Sequence, residues 1–302
     1  MARRFFDEVG YKLGGLSLEK INWFPGHMYK ATNNLMARLK DIDLFLEIRD
    51  ARLPISSRNP DIDQALRLAQ KPKIILFNKY DLCNQRVTSQ ALENYSKVGI
   101  HCLPISAKEG TNLMKILKFL EEKKSIKYTT VGSWLMIGGM PNVGKSTILN
   151  SLRTKHLKET EGKKSVAKAT PIPCTTRSLT GHKINDEPKV FIVDSPGIMV
   201  PNIYDHEIGL KLGLVGCITD KIIGKEPLIE YLVWALNRFG VKKHVEFYEM
   251  SSRPENAKEL MFHVREKYRQ FNYETTFDKI LKDFREGNLG KITLDDMEFM
   301  SE

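Results

Sequence analysis

Residues 139–147 read Gly-Met-Pro-Asn-Val-Gly-Lys-Ser-Thr. This run constrains the fold more than any other, because G-x-x-x-x-G-K-[ST] cradles phosphate only where a strand enters it and a helix leaves it. Residues 134–138 form an apolar run of core-strand length, and a helical pattern starts near Lys145, so the context is right. The glycines let successive backbone amides turn toward phosphate, and the helix N-terminus adds a dipole that favours an anion. Lys145 would reach the β- and γ-phosphates and the Ser146 hydroxyl would ligate Mg²⁺, with Asn142, Val143, Gly144 and Thr147 completing the cradle. A plain glycine turn before a helix is the competing reading, but from average composition the bare pattern arises in only about one chain in a hundred of this size.

Strands and helices alternate around that loop. Residues 42–48, 73–77, 101–105 and 190–193 read as buried strands, each followed by polar positions. Ile62, Ala65, Leu66 and Ala69 repeat at helical spacing, as do Leu113, Ile116, Leu117 and Leu120. This predicts an α/β domain, a mostly parallel sheet with helices on both faces. After Pro201 the pattern changes: 228–239, 258–269 and 276–284 are amphipathic at helical period with no strand between them, which predicts a small all-α domain. The expected organisation is an N-terminal segment over 1–20, the α/β domain over 21–203 and the helical domain over 204–302. No apolar run approaches the roughly 20 residues that cross a bilayer, which argues against a transmembrane segment.

Three further motifs sit at predicted strand ends. Asn78-Lys79-Tyr80-Asp81 follows the strand over 73–77, and the Asp81 carboxylate can accept from both N1–H and the exocyclic amine of guanine, a donor pair adenine lacks. Four residues alone are weak, since Asn and Asp are ordinary turn formers. Ser106-Ala107-Lys108 ends the next strand and fits a loop that backs the base through a main-chain amide, so the two motifs reinforce each other. Asp194-Ser195-Pro196-Gly197 fits D-x-x-G, which puts Asp194 behind the Mg²⁺ ligands and the Gly197 amide against the γ-phosphate. Between them, Thr176 in Pro173-Cys-Thr-Thr176-Arg177 lies where a switch threonine would ligate Mg²⁺. Thr175 is its neighbour and rival. GTP is the nucleotide these motifs predict, against an ATPase with a chance Asn-Lys-x-Asp.

Charge narrows the partners. The chain carries a formal net charge of +10, and its distribution is uneven. Of 47 Lys+Arg and 37 Asp+Glu, 15 and 18 fall in 204–302, leaving 32 and 19 ahead of it. Residues 151–183 alone hold eight basic side chains against two acidic ones, which fits a polyanion such as RNA as well as a solvated lysine face. The four cysteines, Cys83, Cys102, Cys174 and Cys217, have neither C-x-x-C spacing nor histidine partners and fit a reducing compartment. Arg3, Arg4 and Lys12 among Phe5, Phe6, Val9 and Leu13 resemble a targeting segment, although Asp7 and Glu8 are wrong for one.

The order of the motifs is the informative feature, because the base-reading residues precede the phosphate loop whereas small GTPases usually run the other way. A closed α/β core can be cut and rejoined without moving its site. In this order D-x-x-G leads almost directly into the C-terminal helices and gives γ-phosphate loss a short lever on them. The permuted order, Trp23-Phe-Pro-Gly-His27-Met28, the run from Asp50-Ala-Arg to Asn59-Pro60, the phosphate loop, Asp194-Ser-Pro-Gly-Ile198, Gly209-Leu-Lys-Leu and Phe284-Arg-Glu-Gly-Asn-Leu-Gly290-Lys together resemble the circularly permuted ribosome-biogenesis GTPases, especially their mitochondrial members. The family's Pro-Gly-x-Thr switch reads Pro173-Cys-Thr-Thr176 here.

The resemblance implies slow GTP hydrolysis coupled to late maturation of the mitochondrial large ribosomal subunit through its rRNA and proteins, peripheral membrane association, and a location on the matrix side of the inner membrane. It also implies K⁺ beside the phosphates at Asn142. Ile198 replaces the glutamine that often follows D-x-x-G and cannot hydrogen-bond water, so His27, which the family carries in the same motif, becomes the catalytic candidate. A histidine that merely caps the N-terminal turn is the plainer reading of His27. A regulatory switch that binds a protein effector and never meets the ribosome is the competing function, and the cytoplasm is the competing location.

Overall fold

The structure, a computed structural model, describes residues 38–122, 132–160, 169–171, 180–187, 189–194, 205–269 and 272–296. Strands β1 (Leu44–Asp50), β2 (Lys73–Asn78), β3 (Cys102–Pro104), β4 (Ser133–Gly139), β5 (Ala169–Pro171), β6 (Thr180–Asn185) and β7 (Val190–Asp194) form one sheet. Its order is β3-β2-β1-β4-β7-β6-β5. The first five in that order run parallel, and β6 and β5 add an antiparallel edge. The central strands are buried along their whole length, as Leu-Phe-Leu-Glu-Ile-Arg-Asp in β1 shows. That is what a parallel sheet covered on both faces requires.

Alternation along each strand divides the core into two faces. Leu46, Ile48, Leu76, Leu135, Ile137 and Ile192 point to one face. There they meet α3 (Met114–Glu122) through Ile116 and Leu117, and α4 (Lys145–Thr160) through Ile148, Leu149 and Leu152. Phe45, Trp134, Met136, Phe191 and Val193 point to the other, against Ile62, Ala65 and Leu66 of α1 (Pro60–Leu68). On that face Ile75 and Phe77 pack with Tyr95 of α2 (Gln85–Lys97). Asn59 caps α1, its side chain accepting from the Asp61 and Ile62 amides ahead of Pro60 in the first turn.

The α/β architecture agrees with the sequence reading, with local differences. β1 begins two residues later than expected and runs on to Asp50, because its polar end pairs with β2 as far as Asn78. Helix α2 has only Thr88, Ala91 and Tyr95 buried, too few apolar positions for a visible period. The edge strand β6, Thr-Gly-His-Lys-Ile-Asn, has no apolar run to mark it.

Among the described residues six helices follow: α5 (His206–Leu214), α6 (Asp220–Ile223), α7 (Lys225–Arg238), α8 (Lys243–Tyr248), α9 (Ala257–Tyr268) and α10 (Tyr273–Glu286). α7 buries Leu228, Ile229, Leu232, Val233 and Leu236 at their centre. No helix of the described residues is long and apolar enough to cross a membrane. The helical core is continuous with the sheet's, and the chain then returns to the α/β part. Backbone amides of Ile292 and Leu294 donate to Leu82 O at 3.3 Å and Arg52 O at 2.9 Å, and the Thr293 and Thr88 hydroxyls meet at 2.8 Å.

The Asp295 carboxylate finishes this strap, accepting from the Ile55 amide (2.7 Å), the Ser56 amide (2.8 Å) and the Ser56 hydroxyl (2.5 Å). Removing so buried an acceptor leaves its donors unpaired. Asp295→Ala should therefore lower stability by about 2–4 kcal/mol, read as a shift in the urea midpoint. Asp295→Asn, which keeps one acceptor oxygen, should lose less, and equal losses would show that the donors are not what the side chain serves.

Candidate nucleotide site

The carboxyl ends of the parallel strands β2, β3, β4 and β7 lie along one edge of the sheet, beside the β1–β4 junction where the strand order reverses. Such a switch point is where open α/β sheets take ligands. Asn78 joins three of the loops that follow these strands. Its side-chain amide donates to Val143 O at 2.8 Å and accepts from the Ala107 amide at 3.0 Å, with the residue only 3% exposed. Gly144 stands against it with φ +99°, where a Cβ would collide with the Asn78 amide nitrogen. A glycine is therefore required both for the backbone angle and for the space. Ser151 in α4 ties the same loop, donating to Ala107 O at 3.2 Å.

Lys79 and Asn142 both adopt left-handed backbone, φ 61° and 58°, which costs about 1–3 kcal/mol at a non-glycine residue and persists where surroundings enforce it. Here the enforcing bonds are visible. The Lys79 ammonium donates to Asn142 O at 2.8 Å and lies 3.0 Å from Asp50 Oδ2. The Asn142 side-chain nitrogen donates to Gly216 O at 2.8 Å, so the phosphate loop is held on one side by the base reader and on the other by the helical region.

On the phosphate side, the Lys145 ammonium is buried and donates to Gly139 O (3.2 Å) and Met140 O (2.8 Å). Burial lowers its pKa, with the Asp194 carboxylate working the other way, so a phosphate arriving there would stabilise the charge. Ser146 is exposed in the first turn of α4, and Asp194 is exposed at the end of β7, in register with Ile137 of the neighbouring β4. A hydroxyl and a carboxylate are hard oxygen donors that suit Mg²⁺, so the residues present fit that ion. Thr176, Gly197 and His27 lie outside the described residues.

The base side is a cavity of about 280 Å³ whose lining includes Asp81, Ser106, Lys108, Thr147, Arg285 and Glu286. Among the described residues, Asp81 Oδ1 is buried there without a hydrogen-bond partner. A buried acceptor left unpaired is costly, and a ligand edge with two adjacent N–H donors relieves it. Ser106 and Thr111 exchange backbone hydrogen bonds of 3.2 and 3.0 Å that close the turn carrying Ala107 and Lys108.

The sequence motifs missed several participants. Asp50 is fully buried and receives Arg52 Nε at 2.9 Å and Nη2 at 2.8 Å besides Lys79. Burial alone would raise its pKa, but Arg52 and Lys79 hold the carboxyl well below the usual carboxylate range. A signal for it existed, since Glu47, Arg49 and Asp50 interrupt an apolar strand and buried charges need partners. Gly216 gave none, and Arg285 and Glu286 stood in the run Phe284–Lys291 that carries the family resemblance, but only the folded chain brings them to the site. The described cysteines are free, and burial pushes Cys217 up to about 12 and Cys83 up to about 11, which makes both thiols inert.

With the base-reading loops ahead of the phosphate loop in the chain yet beside it in space, the molecule is a circularly permuted GTPase. The comparisons with known proteins agree. The RsgA GTPase family matches residues 58–204. The chain is 32% identical to "Mitochondrial ribosome-associated GTPase 1" of Mus musculus, covering 90% of this chain and 89% of the relative. It is also 32% identical to "Ribosome biogenesis GTPase A" of Priestia megaterium, with 91% and 96% covered. Identity reaches 37% with "Short integuments 2, mitochondrial" of Arabidopsis thaliana, of whose length the chain spans 62%. A solved GDP-bound YlqF shares the fold, with a TM-score of 0.58 and 22% identity over 88% of this chain and 99% of that one. The chain belongs to the family of ribosome biogenesis GTPase A and the mitochondrial ribosome-associated GTPases.

Asp81→Asn tests the base assignment. The variant should bind GTP at least about 10²-fold more weakly, because a site built on hydrogen bonds rejects a ligand that leaves them unpaired. Its preference should move to xanthosine triphosphate, whose 2-oxo group accepts where guanine donates. Unchanged GTP affinity in a titration would remove Asp81 from the site.

Proposed function

We propose that this GTPase is an assembly factor for the mitochondrial large ribosomal subunit, acting from the matrix side of the inner membrane as a peripheral protein. The observation that carries this reading is near full-length similarity to relatives whose names join the mitochondrion or the ribosome to GTPase. The basic excess ahead of residue 204 supports contact with rRNA, since lysine and arginine neutralising phosphates supply most sequence-independent affinity.

In this reading GTP lies along the carboxyl edge of the sheet, its guanine held by Asp81 between the loops of Lys79 and Ala107. Lys145 and the amides of 142–147 hold the phosphates. Ser146 and Thr176 ligate Mg²⁺, with Asp194 behind them and the Gly197 amide on the γ-phosphate; the ion supplies charge neutralisation there. Lys145 adds a fixed positive charge where negative charge develops. Asn142 uses its nitrogen on Gly216, which leaves its oxygen as the atom for K⁺. His27 positions the attacking water in the place Ile198 cannot fill.

Two measurements test this. Loaded with a non-hydrolysable GTP analogue, the protein should co-sediment with mitochondrial large subunits, the association weakening steeply with salt as phosphate contacts predict. Capture of a non-ribosomal protein without subunits would favour the effector-binding switch instead. His27→Ala should leave GTP affinity intact while lowering subunit-stimulated turnover by about 10²-fold; normal stimulated turnover would assign the chemistry elsewhere.

A further inference from the structure

The last turn of α10 forms a wall of the base cavity, which brings a second carboxylate, Glu286, into the same space as Asp81. Nothing in the motifs for reading guanine calls for it. The placement is enforced from three sides. Arg285, next in the chain, donates from Nε to Leu214 O (3.0 Å), from Nη2 to Gly213 O (2.8 Å), and from both terminal nitrogens to the Asp220 carboxylate (3.1 and 2.5 Å). Gly287 ends the helix at φ +86°, so close to the base-reading loop that a Cβ would come within 2.6 Å of Leu82 Cδ2. The strap then bonds Ile292 N to Leu82 O at 3.3 Å. Helix α10 and the residue after Asp81 are therefore clamped together.

Glu286 itself is only loosely engaged. Its carboxylate lies 3.9 Å from Lys282 Nζ and accepts from Asn288 Nδ2 at 3.5 Å, and its side chain is 48% exposed. An acceptor at a cavity wall with weak partners is available to a ligand. Guanine has one donor to offer it. When Asp81 takes N1–H and one hydrogen of the exocyclic amine, the second amine hydrogen, directed toward the sugar edge, is left over.

We propose that Glu286 is a second base-reading carboxylate, accepting that remaining amine hydrogen, and that Arg285 is the positioning residue that holds it at the base. The helical region thus supplies part of the guanine specificity. This rests on the assignment of the cavity to the base.

Inosine diphosphate separates the two claims, because it keeps N1–H and lacks the amine. Glu286→Ala should lower GDP affinity about fivefold, the worth of one hydrogen bond near the surface, and leave affinity for inosine diphosphate unchanged. Glu286→Lys, which sets a donor against a donor, should lower GDP affinity further with the same indifference to inosine diphosphate. Glu286→Gln, which retains an acceptor, should stay close to the parent, and Arg285→Ala should shrink the GDP preference as Glu286→Ala does. Unchanged binding of inosine diphosphate doubles as the check that each variant is folded. Should GDP and inosine diphosphate weaken together, or neither weaken, while Asp81→Asn still abolishes guanine preference, Glu286 is not a base reader and the cavity assignment stands. Should Asp81→Asn have no effect, the assignment fails and this proposal with it.

Discussion

The side-chain amide of Asn78 is the contact on which the nucleotide site depends. One small group satisfies a carbonyl of the phosphate loop and an amide of the Ala107 loop, two segments that the chain separates by some tens of residues. Each bond is worth about 1 kcal/mol net, but removing the amide would strand a buried donor and a buried acceptor at about 1–3 kcal/mol each. By that asymmetry a side chain that cannot both donate and accept here would cost more than the two bonds contribute. Gly144 follows from it, since the approach of Asn78 excludes any side chain there. The left-handed backbone of Lys79 follows too, since it turns the chain immediately after Asn78.

Behind that amide stands a buried charge cluster. Asp50 with Arg52 and Lys79 forms a triad that gains little net stability, because desolvation offsets most of the attraction. Its value is geometric. An ion pair deep at the strand end, with Lys79 also bonded to Asn142 O, fixes the lysine in one rotamer over the phosphate loop. Removing either partner would leave a charge uncompensated, which costs far more than the pair contributes. The Arg52 carbonyl takes the Leu294 amide of the strap, so the same turn anchors the C-terminus.

Much of this was legible in the sequence, for a physical reason. Asn78, Asp81, Lys145 and Asp194 follow apolar runs that can only be strands, and a parallel sheet gathers all its strand ends on one side. Linear motifs thus become neighbours without any knowledge of the fold. The place of Glu286 and Gly216 at the site was not legible: the run Phe284–Lys291 marks a resemblance without assigning Glu286 a task, and Gly216 sits in a tight turn. Helix α2 and strand β6 were missed for a related reason, since each buries few side chains and periodicity reports burial. The charges of β1 were in plain view, but their pairing with Lys73, Lys79 and Tyr95 required the fold.

The permuted order places the helical region between two kinds of information. Its attachments to the described α/β part include the strap on Leu82, Arg52, Ile55 and Ser56, Arg285 and Glu286 at the base cavity, and Gly216 on Asn142 of the phosphate loop. A ligand shifts a conformational equilibrium only through contacts that differ between the two states. GTP and GDP carry the same guanine, so the base-side attachments register whether the site is filled and are indifferent to which nucleotide fills it. Discrimination has to enter on the phosphate side, where the described attachment is the bond from Asn142 to Gly216 O and where the sequence carries D-x-x-G directly ahead of α5. The short lever expected from motif order therefore pulls on a body already tied down at the base.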